Sequence, residues 1–205
     1  SAGDTIGHGL NSAPEQVWFK RRGATGNWMN YVKAMGNNGY INLDRTNGKD
    51  TGGSPVNNTD PSSTVITLGS FQSLNSSSSN NTYVAYAFAP VDGYSKFGSY
   101  TGNGSTDGTF VYLGFRPAWV MLKRTDAANN WHINDAVRDV DNPVIEYLYA
   151  DSSGAEDNLS GGGGLDFLSN GFKIRSTTAA VVNTSGGTYI YMAFAEAPFK
   201  YANAR

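Results

Sequence analysis

Cysteine is absent from the 205-residue chain, which excludes a disulfide framework and a thiolate zinc site. Charge is sparse and nearly balanced, with 15 Lys and Arg against 17 Asp and Glu and a formal net charge of −2. No basic run interrupts it. Nucleic-acid binding rests on a positive footprint against phosphates, so that role is not expected. No apolar run approaches the roughly 20 residues of a membrane span, and membrane insertion is not expected either. Only two histidines are present, His8 and His132, and the spacings of a metal-ligand set are missing.

What the chain has instead is glycine (25 residues) and aromatics (13%), with frequent Ser, Thr and Asn. That mix suits many short strands joined by polar turns and argues against both helix bundles and disorder. The chain also restates itself. Pro14, Val17, Lys20, Arg21, Ala24, Asn27 and Trp28 match Pro117, Val120, Lys123, Arg124, Ala127, Asn130 and Trp131 at one constant offset. Thr82-Tyr83-Val84, Ala87, Phe88 and Ala89 match Thr188-Tyr189-Ile190, Ala193, Phe194 and Ala195 at an offset three residues larger. Two halves of about one hundred residues therefore share a plan, with a small insertion in the second. The expected architecture is all-β: two similar antiparallel β-sandwich repeats in tandem, jelly-roll or lectin-like. The first repeat is 1–92, a glycine-rich connector is 93–105, and the second repeat is 106–205. One sandwich assembled jointly by both halves is the alternative. Halves of this size have small cores and are expected to need a neighbour or other subunits. The start at Ser1-Ala2-Gly3, without Met or signal peptide, suggests a fragment, a processed piece or a domain, with more copies upstream.

In chain order, Gln16–Arg21 reads as a strand with apolar bulk on both faces, ended by the polar pair Lys20-Arg21; Trp119–Arg124 is its twin. Strands follow at 27–32, 39–43 and 64–68. Asn47–Pro61 is a polar loop long enough to be functional or mobile. Asn75–Asn81 is a Ser/Asn tract without apolar content, read as a solvated hairpin loop, with a disordered tip as the alternative. In Thr82–Ala89, Val84, Tyr86 and Phe88 share one face, and Ile190, Met192 and Phe194 repeat it; both are read as central core strands. Asp135–Arg138 extends a strand, and Val144–Tyr149 is a strand or a short helix. Gly161–Gly164 is a flexible turn. Leu165–Leu168 and Phe172–Arg175 form a hairpin about Asn170-Gly171, which would supply the positive φ of a primed turn.

Chemistry is harder to find. The histidines occupy non-equivalent repeat positions and read as surface or packed residues. No Gly-x-Ser-x-Gly elbow supports a Ser-His-Asp triad. Asp135, Asp139 and Asp141 cluster with Asn142, and Asp151, Glu156 and Asp157 with Asn158. Neither group has glycosidase or calcium-loop spacing, so loop charge is preferred. Gly102-Asn103-Gly104 lacks the lysine and helix start of a phosphate loop and reads as a turn. Sequons at Asn57, Asn75, Asn80, Asn103, Asn158 and Asn183 arise by chance in this composition. Trp28 and Trp131, at matching positions, are read as core; Trp18 and Trp119 suit an interface; Tyr94, Tyr100 and Tyr112 are left for sugar stacking. No catalytic, cofactor-binding or metal-ligating residue is assigned, and no cofactor is expected.

Several stretches resemble a known family. They are Tyr94-Ser95-Lys96-Phe97-Gly98-Ser99-Tyr100-Thr101-Gly102-Asn103-Gly104, Gly114–Val120, Leu165–Lys173 and Ala193–Tyr201. They resemble a tandem-repeat β domain of tail-fibre and virion structural proteins of tailed bacteriophages, a family of unassigned activity. The similarity covers nearly the whole chain and is most specific from Gly93 to Arg205. The resemblance implies a non-enzymatic structural and adhesive module located in the virion and facing the extracellular medium. It implies a homo-oligomer, trimers being common in that class, with other virion proteins and a host-surface glycan as partners. A free carbohydrate-binding module and a glycan depolymerase domain are the alternatives.

Overall fold

The structure, a computed structural model, describes residues 1–76, 81–159, 163–176 and 181–197. Part of the Ser/Asn tract (77–80, with the Asn80 sequon), Gly161 and Gly162 of the glycine run, and the tail from 198 lie outside the described residues. The described residues are all-β, with antiparallel pairing throughout and a single 3-10 turn at Lys33–Met35. No helix among them is long and apolar enough to cross a membrane.

The chain divides into two compact units, Ser1–Pro90 and Val91–Arg205. The first contains β1 (Thr5–Gly7), β2 (Gln16–Arg21), β3 (Met29–Val32), β4 (Ile41–Asn42), β5 (Val65–Thr67) and β6 (Tyr83–Phe88). Its sheets run β4-β3-β2-β6 and β1-β5. Alternation along β2 and β3 sends Val17, Phe19, Met29 and Tyr31 to one face, where they bury against Val56, Ile66, Leu68 and Leu74. Each such side chain contributes about 1.5–3 kcal/mol by leaving water.

The 47–61 loop is fastened to that core rather than loose. Val56 is fully buried. The Ser54 hydroxyl accepts the N–H groups of Val56 (3.2 Å) and Asn58 (2.8 Å) and donates to the Asn37 carbonyl.

The second unit contains β7 (Ser95–Thr101), β8 (Phe110–Tyr112), β9 (Trp119–Arg124), β10 (His132–Asp135), β11 (Glu146–Tyr149), β12 (Asp157–Asn158), β13 (Leu165–Leu168), β14 (Gly171–Ile174) and β15 (Thr188–Phe194). Its sheets run β12-β11-β10-β9-β15-β7 and β13-β14-β8. One core takes Val120, Leu122, Tyr189 and Tyr191 from the larger sheet and Val111, Phe167, Phe172 and Ile174 from the smaller. The 93–105 stretch, expected as a connector, holds β7, which pairs with β15 along its whole length and belongs to the second unit.

Strand pairing repeats residue for residue. Val17 stands opposite Tyr31 and Ala87 in the first unit, and Val120 stands opposite Asn134 and Ala193 in the second. β4 and β11 also correspond, since Met29 faces Asn42 where His132 faces Tyr149. Beyond each of these strands the chain makes the same turn. Leu43 N–H donates to Trp28 O (3.0 Å) and Trp28 N–H to Asp44 Oδ1 (3.1 Å). Ala150 N–H donates to Trp131 O (3.2 Å) and Trp131 N–H to Asp151 Oδ1 (3.0 Å).

Four local expectations are corrected. β6 ends its sheet, whereas β15 lies between β9 and β7, so only β15 is a central strand. The face of β6 expected to be core leaves Tyr86 48% exposed. β10 stops at Asp135, whose carboxylate accepts the N–H groups of Val137 (3.1 Å) and Arg138 (2.8 Å) and so turns the chain. Neither Asn170 nor Gly171 takes positive φ. Gly171 is required for space instead: a Cβ there would lie 2.1 Å from the Val111 carbonyl oxygen on β8.

Candidate functional site

The end of β2, the loop after it, the start of β3 and the outer strand β6 surround an open pocket of about 670 Å³ in the first unit. Antiparallel register builds it: Lys20 stands opposite Val84 and Trp18 opposite Tyr86, so Lys20, Val84 and Tyr86 project from one face of the sheet. Trp28 enters that face one residue before β3, held by its backbone bonds to Leu43 and Asp44. The indole of Trp28 and the phenol ring of Tyr86 lie nearly parallel, with centroids 6.2 Å apart and planes at 27°. Trp28 is half-buried and Tyr86 exposed, so the pair presents an aromatic surface to solvent.

Cations line the rim. Lys20 Nζ lies 5.9 Å from the Trp28 ring centre and donates to the Gly26 carbonyl. Arg21 Nε donates to Asn81 Oδ1 (2.9 Å), a neutral acceptor. Arg22 is exposed, and its guanidinium has no ion pair or hydrogen bond among the described residues. Tyr83 and Ala24 complete the lining, and among the described residues no carboxylate is part of it.

The equivalent place in the second unit is built differently. Lys123 Nζ again lies 5.9 Å from an indole centre, that of Trp131, and donates to the Asn129 carbonyl. There both side chains are buried, so of the Lys123-Arg124 pair only Arg124, partly exposed at the end of β9, is the polar strand end that the sequence suggested. Burial pushes the Lys123 ammonium down to about 8, against the pull of Asp151. Met192 replaces Tyr86 and Thr125 replaces Arg22. Arg124 is paired with the Asp126 carboxylate, with Nε to Oδ1 at 2.9 Å, where Arg21 has an amide.

Trp131 is therefore core, and Trp28, expected to be core, is a pocket wall. Trp18 packs on Phe88 at 4.7 Å and Trp119 on Phe194 at 5.8 Å. Of the tyrosines left for sugar stacking, Tyr100 is buried, stacked on Tyr189 at 4.9 Å and bonded to the Val182 carbonyl at 2.8 Å. Tyr94 packs on Phe194 at 5.8 Å. Tyr112 is exposed on β8, with the Lys96 ammonium 5.1 Å from its ring.

The remaining chemical candidates serve loops and packing. His8 Nδ1 accepts the Leu10 N–H (3.1 Å) while Nε2 reaches the Ser62 carbonyl (3.1 Å). His132 is fully buried beneath Tyr147, 4.5 Å between ring centres, and neither ring nitrogen meets a partner at full hydrogen-bonding geometry among the described residues. Burial pushes its imidazole down to about 3, with Asn134 opposing. Asp139 accepts the Ile145 N–H (2.8 Å), Glu156 pairs with Arg138, and Asp157 accepts from the Tyr147 hydroxyl (3.1 Å). Asn142 bonds the Phe167 backbone, with its Oδ1 2.8 Å from the N–H. Asn183, one of the sequons, is buried and donates to the Ser105 and Ser176 carbonyls. No three His, Asp or Glu side chains among the described residues converge on a point where a metal ion could sit.

A family model described as Domain of unknown function (DUF7483) matches residues 1–198. The chain belongs to that family. The match runs across both units, so the family's domain includes the uncovered Lys20–Trp28 pair together with its buried counterpart. No curated protein and no solved structure matches the chain.

Proposed function

We propose that the chain is a structural and adhesive module of a tailed-phage fibre or a related virion appendage, in which two sandwich-like repeats in tandem carry a surface for host glycans. The observation that carries this reading is the open Trp28–Tyr86 surface. Sugars offer apolar C–H faces that pack on aromatic rings and hydroxyl groups that need donors and acceptors at the rim. Trp28 and Tyr86 supply the ring faces, and Lys20, Arg21 and Arg22 supply the donors. The duplicated strand pairing supports the tandem arrangement, with one core per unit between a larger and a smaller sheet. The stretches quoted above support the appendage setting, and with it homo-oligomerisation, virion partners and an extracellular position. Binding without turnover is the proposed activity.

A free carbohydrate-binding module is the second reading, and the same exposed aromatic pair favours it. Glycan-array binding together with the mass in solution tests both. An oligomer that retains glycans supports the appendage module. A strict monomer that retains them supports the free module, and a chain that retains none contradicts both.

A further inference from the structure

Resting on that glycan reading, we infer that the ligand of the Trp28 pocket is an anionic saccharide, a sugar carrying a carboxylate or phosphate group. Charge decides the class. Lys20, Arg21 and Arg22 converge on one pocket, and among the described residues no carboxylate lines it. Each hydrogen-bonding partner is neutral: Lys20 is bound to the Gly26 carbonyl and Arg21 to the Asn81 amide oxygen, and neither forms an ion pair among the described residues, the Asp44 carboxylate being engaged with the Trp28 N–H outside the lining. The second unit shows the contrast, because its equivalent arginine, Arg124, is already matched by Asp126.

On a protein whose formal charge is −2, three cations that share one pocket lining with no carboxylate among the described residues make a local positive patch. They attract an anion and would repel a cationic ligand. The planar Arg22 fork offers a bidentate site for carboxylate or phosphate oxygens. Arg21, fixed by Asn81, adds field strength beside it. Trp28 and Tyr86 then take the ring face of the same sugar, so an inorganic anion alone would use only half of the pocket.

The test uses the whole chain on an array holding neutral glycans, uronate glycans, their methyl esters, and phosphorylated glycans. Titration calorimetry follows at low and high salt, with Arg22→Gln and Trp28→Ala as variants. Retention of uronate or phosphorylated glycans, with the esters and neutral sugars rejected, supports the inference, and the retained set identifies the anion. Arg22→Gln should weaken binding about tenfold, as loss of a charge-assisted hydrogen bond does, and salt should weaken it further. Esters and neutral glycans bound as tightly as the acids, with binding lost in Trp28→Ala, would overturn the anionic class and leave the glycan site standing. Anion binding that survives Trp28→Ala would overturn the assignment to this pocket. Retention of no glycan would overturn the class and the glycan reading together.

Discussion

Lys123 holds its ammonium group 5.9 Å from the centre of the Trp131 indole, and both side chains are buried. The same pair in the first unit, Lys20 and Trp28, keeps the same separation but faces an open pocket. One residue pair thus stands in two settings.

Trp131→Ala removes a fully buried indole and should destabilise the protein by roughly 3–5 kcal/mol. Chemical denaturation measures the difference. An unchanged midpoint would place Trp131 at the surface.

Lys123 should make stability depend on pH in the alkaline range. Its ammonium is pushed down to about 8 in the folded chain, against 10.5 as the ordinary value. Between those values the unfolded chain holds a proton that the folded chain has released. Stability therefore rises as pH climbs from about 8 towards 10.5, and the full penalty is present below 8. Melting temperatures of the parent and of Lys123→Met, compared across pH 8–10, should show the parent gaining on the variant. Parallel curves would contradict a buried ammonium. Taking the difference cancels the tyrosines, which burial shifts upward.

His132 acts on the acid side. Its imidazole is pushed down to about 3 from an ordinary 6.5, so between these values the unfolded chain binds a proton that the folded chain does not. Stability falls as pH drops below 6.5, by up to about 1.4 kcal/mol per pH unit from this group. His132→Phe keeps a ring beside Tyr147 and removes the titration, so its stability should decline less between pH 7 and pH 4. Equal declines would show that His132 is already solvated in the folded chain.

Gly171→Ala should destabilise the β13–β14 hairpin, because the added methyl group would meet the Val111 carbonyl oxygen at 2.1 Å. Hydrogen exchange at β8 and β14 should accelerate in this variant. Wild-type protection there would mean that β8 can retreat without cost.

Much of the framework was legible in side-chain identity. Val17 and Val120, or Ala87 and Ala193, recur because the register places each opposite its partner, and a change at one requires a change at the other. The correspondence of β4 with β11 was not legible. Ile41-Asn42 and Leu148-Tyr149 share no residues, and their equivalence lies in backbone pairing alone. The exposure of Trp28 was also hidden. Sequence identity with Trp131 argued for the same environment, but burial depends on neighbours contributed from elsewhere in the chain. Met192 stands where Tyr86 does, and β15 pairs on its far side with β7 whereas β6 ends its sheet, so the two positions have different neighbours. Gly171 misled for a related reason: Asn-Gly is a local turn signal, and the requirement came from a third strand.

Trp28→Ala, assayed in one preparation for glycan retention and for thermal unfolding, tests the pocket most directly. Loss of retention with a melting temperature close to the parent's is the predicted result, since Trp28 is a half-exposed wall rather than core. Full retention, or unfolding as severe as that of Trp131→Ala, would contradict it.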